Sequence, residues 1–235
     1  MEYFFYFRRS KHPPNMTMKL QTLTIAALAA TFLVACGPSE AEIAAAKEQA
    51  VADSLATLAA SERTVNVDAA ASTVNWKGTM LGIKSHNGTV ALSDANLVVK
   101  GPSVVSGRFT VDMRTITALD AAYAADDAKE GTRAMLIVHL SGADFFDVAN
   151  HQKASFEIGS VDGSTATGKL TVRGTTNEEK VTDIAVSEEN GVVKVTGKLA
   201  FDRQKYGVAW SSGSKDAVLN DIIEMDIVLS GSFAQ

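Results

Sequence analysis

Residues 192–203 read VVKVTGKLAFDR, and their alternation decides the fold. Val193, Val195, Leu199 and Phe201 share one face, while Lys194, Thr196 and Lys198 share the other. A strand repeats its side-chain direction every two residues, so the segment predicts a strand with one dry and one wet face. The same period recurs from Val65 onward in short segments separated by Gly, Asn, Asp and Ser. Val74 and Trp76 alternate with Thr73, Asn75 and Lys77, and Phe109, Val111 and Met113 alternate with Arg108, Thr110 and Asp112. Near the end, Ile223, Met225, Ile227 and Leu229 alternate with polar residues that include Glu224 and Asp226. Antiparallel sheets with one solvated face require this pattern. The exception is the alanine-rich stretch 119–129, LDAAYAADDAK, which predicts one short helix between strands. Roughly eight or more strands leave a sandwich and a closed barrel both open. Closure removes exposed edges, and a barrel of about eight strands can be filled by side chains or hold one small ligand.

Upstream of the strands the chain changes character. Residues 20–35, LQTLTIAALAATFLVA, form a short apolar run preceded by Lys19 and ending in small residues, the layout of a secretory signal. It is short for a spanning helix of about 20 residues. Leu33-Val34-Ala35-Cys36 has the form of a bacterial lipobox, so residues 1–35 are expected to be a cleaved signal peptide and Cys36 to be lipidated. Residues 1–17 look like an overlong start, with Met18-Lys19 as the better beginning, although Arg8, Arg9 and Lys11 suit a longer basic region. Residues 36–63 are expected to be a lipidated stalk or linker, helical or flexible, and residues 64–235 the barrel domain. Ile43, Val51, Leu55 and Leu58 give that stalk only a narrow apolar stripe.

Loss of the leader removes Arg8, Arg9, Lys11, Lys19 and Glu2 and takes the net charge from −5 to −8. An acidic surface without a basic stripe argues against a nucleic-acid partner. The single cysteine rules out an internal disulfide.

Nine segments in order resemble the YceI family of lipocalin-like periplasmic proteins: STVNWKG (72–78), HNG (86–88), GRFTVDM (107–113), HL (139–140), DFFDV (144–148), ASF (154–156), GKLTVRGTT (168–176), FDRQKYGV (201–208) and DIIE (221–224). Where the family commonly has a proline after the DFFDV segment, this chain has His151-Gln152, a change in a turn. The resemblance implies an all-β, extended antiparallel barrel whose apolar interior takes the isoprenoid tail of a quinone-like or prenyl lipid. It implies carriage, storage or sequestration without bond making, no cofactor beyond that lipid, and a lipid or quinone partner. The envelope is the expected location, with the membrane reached through Cys36. Gly37 lacks the acidity of an inner-membrane retention signal, which favours the outer membrane facing the periplasm. The oligomeric state, a homodimer included, stays open. An alternative is a non-binding envelope stress or assembly module with a plugged barrel.

The dry faces give an inward set of Trp76, Phe109, Val111, Met113, Phe156, Leu170, Val172, Leu199, Phe201, Ile223, Met225 and Ile227. Methionines and branched residues among aromatics suit a featureless tail, since dispersion needs no fixed polar partner. Tyr206 and Trp210 are expected as a lid with a polar handle. Arg173, Asp202 and Arg203 sit at strand ends. One reading has Asp202 or Asp112 pairing with an arginine as a structural ion bridge. The other has Arg203 at the cavity mouth, meeting a phosphate or quinone oxygen of a head group. His86 and His139 lack companions at metal-ligand spacing, so no metal is expected. Ser211, Ser212 and Ser214 follow Trp210 without a nucleophile elbow or ordered triad, and Asp144 and Asp147 read as turn residues flanking core phenylalanines, so no enzyme is expected.

Overall fold

The computed structural model describes residues 38–81, 84–121, 123–211, 213 and 218–234. The leader, Cys36, Ser212 and Ser214 lie outside the described residues. Contacts divide the chain into two compact units at Ala45/Ala46.

Helix α1, Glu40–Ala60, spans that division, and none of its residues is buried. It starts with a reciprocal cap: Ser39 Oγ accepts from the Glu42 amide at 3.3 Å, and the Ser39 amide donates to Glu42 Oε2 at 2.7 Å. The 36–63 stretch is therefore helical over most of its length. Among the described residues no helix is long and apolar enough to cross a membrane.

Eight strands follow: β1 Glu62–Leu81, β2 Lys84–Lys100, β3 Ser103–Asp112, β4 Lys153–Asp162, β5 Thr165–Val172, β6 Thr175–Glu189, β7 Val192–Asp202 and β8 Val218–Phe233. Each pairs antiparallel with the next, and β8 pairs back onto β1, so the sheet closes as a barrel. Of the two architectures left open by alternation, closure is the one found. The reading of β7 holds in detail. Val193, Val195, Leu199 and Phe201 are buried, while Val192 is 53% exposed.

Local chemistry sets the corners. Asn190-Gly191, both at positive φ, join β6 to β7 as a two-residue turn whose twist matches the flanking strands. A register shift in β1 between Asn66 and Val74 is held by Asp68 and Ser72. Ser72 Oγ donates to the Asp68 carbonyl at 2.6 Å and accepts from the Ser230 amide at 3.0 Å. Extra residues in one strand bend it and raise its twist, as closure demands.

The predicted helix at 119–129 does not form. Residues leading into it run extended beside β2, with the Thr117 amide on the Thr89 carbonyl at 2.9 Å and the Leu119 amide on the Asn87 carbonyl at 2.8 Å. Gly88 permits this approach, since a Cβ there would sit 1.8 Å from the Thr117 oxygen. Asp120 and Tyr123 are then engaged by His86. The short helix instead is α2, Arg133–Ser141, begun by Thr132, whose hydroxyl accepts from the Met135 amide at 3.2 Å. Alanine content favoured a helix at 119–129, ahead of the observed Arg133–Ser141, because tertiary pairing overrode propensity.

Candidate functional site: an apolar cavity inside the barrel

The barrel holds a cavity of about 180 Å³. Its wall includes Trp76 of β1, Phe109 and Val111 of β3 with Met113 just beyond, Leu170 and Val172 of β5, Leu199 and Phe201 of β7, and Ile223, Met225 and Ile227 of β8. Among the described residues no lysine, arginine, aspartate or glutamate lines it. Trp76 presents its ring there while its indole nitrogen is satisfied by the Thr117 carbonyl at 3.0 Å.

Two residues expected at the cavity are elsewhere. Phe156 is wholly buried but lines a second void of about 30 Å³, stacked on Phe109 with centroids 5.8 Å apart. Tyr206 is no lid. It lies buried edge-on to Phe201 at 5.4 Å, and its hydroxyl donates to Glu179 at 3.2 Å. Burial, reinforced by the Glu179 charge, pushes its ionisation well above the ordinary phenol range.

The three strand-end charges are structural in their contacts. Arg203 is 3% exposed. Its guanidinium donates to the carbonyls of Val208 at 2.6 Å, Trp210 at 3.1 Å, Asn220 at 3.2 Å and Leu219 at 3.3 Å, and to Asp221 Oδ1 at 3.0 Å. Its ion partner is Asp221 and it is absent from the cavity wall; of the two acids expected to pair with an arginine, Asp112 does so, with Arg114 at 2.6 Å. Asp202 caps a short 3₁₀ turn, Arg203–Tyr206, accepting from the Gln204 amide at 2.9 Å. Arg173, at positive φ in the β5–β6 turn, donates to the Gly207 carbonyl and, at 2.7 Å, to the Ala143 carbonyl. Asp112 caps the 3₁₀ turn Met113–Thr115 and chelates Arg114, whose hydrogen bond lowers its pKa to about 2 against the smaller opposing cost of burial.

Segments outside the strands complete the cavity, and alternation had no means of finding them. Helix α2 contributes Leu136, His139 and Leu140, spaced i, i+3, i+4 on one face. Phe145, Phe146 and Trp210 come from the connections, with Met80, Ile116 and Leu219 near strand ends. The phenylalanines do fill core space, as their flanking aspartates suggested.

Two histidines also reach this wall. His86 Nδ1 lies 3.0 Å from Asp120 Oδ2 and 3.1 Å from the Tyr123 hydroxyl, which itself donates to Asp120 Oδ1 at 2.7 Å. The Asn87 amide adds a bond to the same oxygen at 3.1 Å. Burial resists ionisation of Asp120, but the bonds from Tyr123, Asn87 and His86 together outweigh it and hold the carboxyl below its usual range. His139 packs edge-on against Phe145 at 5.3 Å and Trp210 at 4.6 Å. Among the described residues no group of three or more His, Cys, Asp or Glu gathers to hold a metal.

A closed eight-stranded antiparallel barrel around an apolar lumen defines the lipocalin-like class of folds. Within it, the sequence model of the YceI-like domain matches residues 66–230, and the chain belongs to that family. The BcnA protein of Burkholderia cenocepacia matches with a TM-score of 0.54 at 20% identity, over 71% of this chain and 100% of that one. A polyisoprenoid binding domain from Saccharophagus degradans, implicated in plant cell wall breakdown, gives 0.50 at 11% identity, over 74% of this chain and 100% of the other. At such identities the likeness is one of fold. A search of curated proteins gave no match.

Proposed function

We propose that this chain is a lipid-binding protein of the bacterial envelope that carries, stores or sequesters a polyisoprenoid, and that it is no enzyme. The observation carrying this reading is the cavity of about 180 Å³ walled by apolar side chains from seven strands and α2, with no lysine, arginine, aspartate or glutamate among its described lining residues. Such a wall offers a prenyl tail non-directional burial and dispersion contacts. Membership of the YceI-like family, and the ligand class that names the Saccharophagus degradans domain, support the same ligand. An acyl chain on Cys36 would hold the protein at the membrane, at about 0.8 kcal/mol for each buried methylene. Removal of acylation by Cys36→Ser tests that part: the variant is expected in the soluble fraction without labelled fatty acid.

The test of binding is mass spectrometry of an organic extract of the purified protein. A stoichiometric isoprenoid is expected. Val111→Phe and Val172→Phe narrow the lumen and are expected to fold, with an overpacking cost of about 1 to 3 kcal/mol at most, yet to lose that lipid. A second reading, a stress or assembly module with a filled barrel, draws on the size of the cavity. An engineered void of about 150 Å³ holds only a benzene-sized guest. A long tail therefore has to displace Met80, Met113 or Met225, which line the wall and are flexible enough to move. A clean extract, together with Val111→Phe unfolding as an overpacked core does, would select the filled barrel.

A further inference from the structure

Among the described residues, one buried side-chain nitrogen has no hydrogen-bond partner: His139 Nε2. The ring belongs to the face of α2 that lines the cavity with Leu136 and Leu140. Its side chain as a whole is 30% exposed, and its other nitrogen, Nδ1, lies 3.9 Å from Asp144 Oδ2. The ring therefore straddles solvent and interior, with Nε2 on the buried side. Edge-on contacts with Phe145 at 5.3 Å and Trp210 at 4.6 Å hold it there. A buried polar atom without a partner forfeits free energy that a ligand bearing a matching group restores.

The wall also restricts what that group can be. Among the described residues it offers no lysine or arginine. Arg173, next in sequence to Val172, and Arg203, two residues beyond Phe201, are spent on backbone carbonyls and Asp221, and Arg114, next to Met113, is spent on Asp112. A phosphate drawn into the cavity would lose its hydration and meet no counter-charge among the described lining residues. An uncharged oxygen needs a single partner, which Nε2 supplies.

We infer that the ligand of this cavity ends in an uncharged oxygen, a hydroxyl or a carbonyl, bonded to His139 Nε2, and that phosphorylated prenyl chains are discriminated against. The inference rests on the lipid-binding reading above. A hydroxyl donates to a bare Nε2, whereas a carbonyl accepts from a protonated one, so the two head groups report the state of the ring.

Four probes with one tail separate these cases on the full-length chain: farnesol, farnesal, farnesene and farnesyl diphosphate. His139→Phe keeps an aromatic ring against Phe145 and Trp210 and removes the nitrogen. It is expected to weaken farnesol or farnesal about five- to tenfold, the worth of one hydrogen bond, and to leave farnesene unchanged or tighter. His139→Gln is expected to retain part of the oxygen preference. Farnesyl diphosphate is expected to bind the unaltered protein more weakly than farnesol. A measurement that needs no variant is histidine ¹⁵N NMR, in which the His139 Nε2 resonance shifts with farnesol or farnesal and stays in place with farnesene. Equal effects of His139→Phe on farnesol, farnesal and farnesene, or an unmoved resonance with both oxygenated probes, would overturn the assignment of His139. Tightest binding by the diphosphate would overturn the uncharged head group. If none of the four binds, the lipid-binding reading itself falls and takes this inference with it.

Discussion

Phe109 of β3 and Phe156 of β4 face each other across the register pair that joins their strands, with ring centroids 5.8 Å apart. Phe109 lines both the main cavity and the smaller void, whereas Phe156 lines the smaller one alone. Phe109 thus separates the two spaces together with Ile227, which also lines both, and it limits how far a tail entering the main cavity can extend.

Phe109→Ala is expected to join the two spaces and to move the preferred tail toward greater length. A binding series of prenyl alcohols with ten, fifteen and twenty carbons checks this. An unchanged optimum would show that the tail does not pass this point. Truncating a fully buried phenylalanine costs about 3 to 5 kcal/mol, which applies to Phe156→Ala. Phe109 is only partly buried, so its variant is expected to melt above the Phe156 variant.

Arg203 is expected to carry stability. Arg203→Met leaves the carbonyls of Val208, Trp210, Leu219 and Asn220 without this donor and Asp221 without its partner. The loss comes from the carbonyls, at about 1 to 3 kcal/mol for each one left buried without a donor, since Asp221 is 54% exposed. For a domain of this size that lowers Tm by roughly 10 °C. Arg203→Lys is expected to rescue little, because one ammonium cannot match a planar fork of donors. A lysine variant as stable as the parent would refute this account.

Alternation could say which residues face inward, and along β3, β5, β7 and β8 it did so correctly. It could not say how deep along the barrel axis a residue lies, which is why Phe156 was grouped with Phe109 although it lines only the smaller void. Nor does a period of two describe turns and helices, so His139, Phe145 and Phe146 were not in the inward set. One usable signal was present in Leu136, His139 and Leu140, whose spacing marks a helix face once the helix is placed after Thr132. For Arg203, its charge and its place at a strand end left a structural ion bridge and a ligand contact both open. Its acceptors are backbone carbonyls, and which of those lie unpaired depends on tertiary structure alone.

The barrel is expected to fold without its N-terminal segment. Residues 46–60 of α1 fall in the same compact unit as the strands, yet no residue of the helix is buried. Little apolar area is lost with it, and apolar burial is the main stabilising term. A chain beginning at Ser61 is expected to show a β-type circular dichroism spectrum and a single cooperative melt, within about 1 kcal/mol of the full chain by the same area argument. A molten product would place α1 in the core.

Acid is expected to act first on the segment between β3 and α2. Asp112 caps its beginning, and the hydrogen bond from Arg114 lowers its pKa to about 2. Asp120 ties the same segment to His86 and the Asn87 amide, and its pKa is lowered as well, with burial outweighed by the bonds it accepts. A carboxyl whose folded pKa lies below its unfolded value contributes stability that is fully present above the unfolded value, about 4. That contribution declines as pH falls below it and, for Asp112, is gone once pH passes the folded value of about 2. The Asp112 contribution is small because Arg114 is 60% exposed and solvent screens the pair. The Asp120 carboxylate is 11% exposed and joined to Tyr123 and His86, so its loss has the larger effect. Asp120→Asn is expected to melt below the parent at pH 7, and the gap is expected to narrow as the pH is lowered through the acidic range. His86 and Ile116 border the cavity, so tail binding is expected to weaken over the same range. Melting curves of the two proteins from pH 7 to pH 2 decide the matter: a gap that stays constant throughout would mean that the charge on Asp120 holds nothing in place.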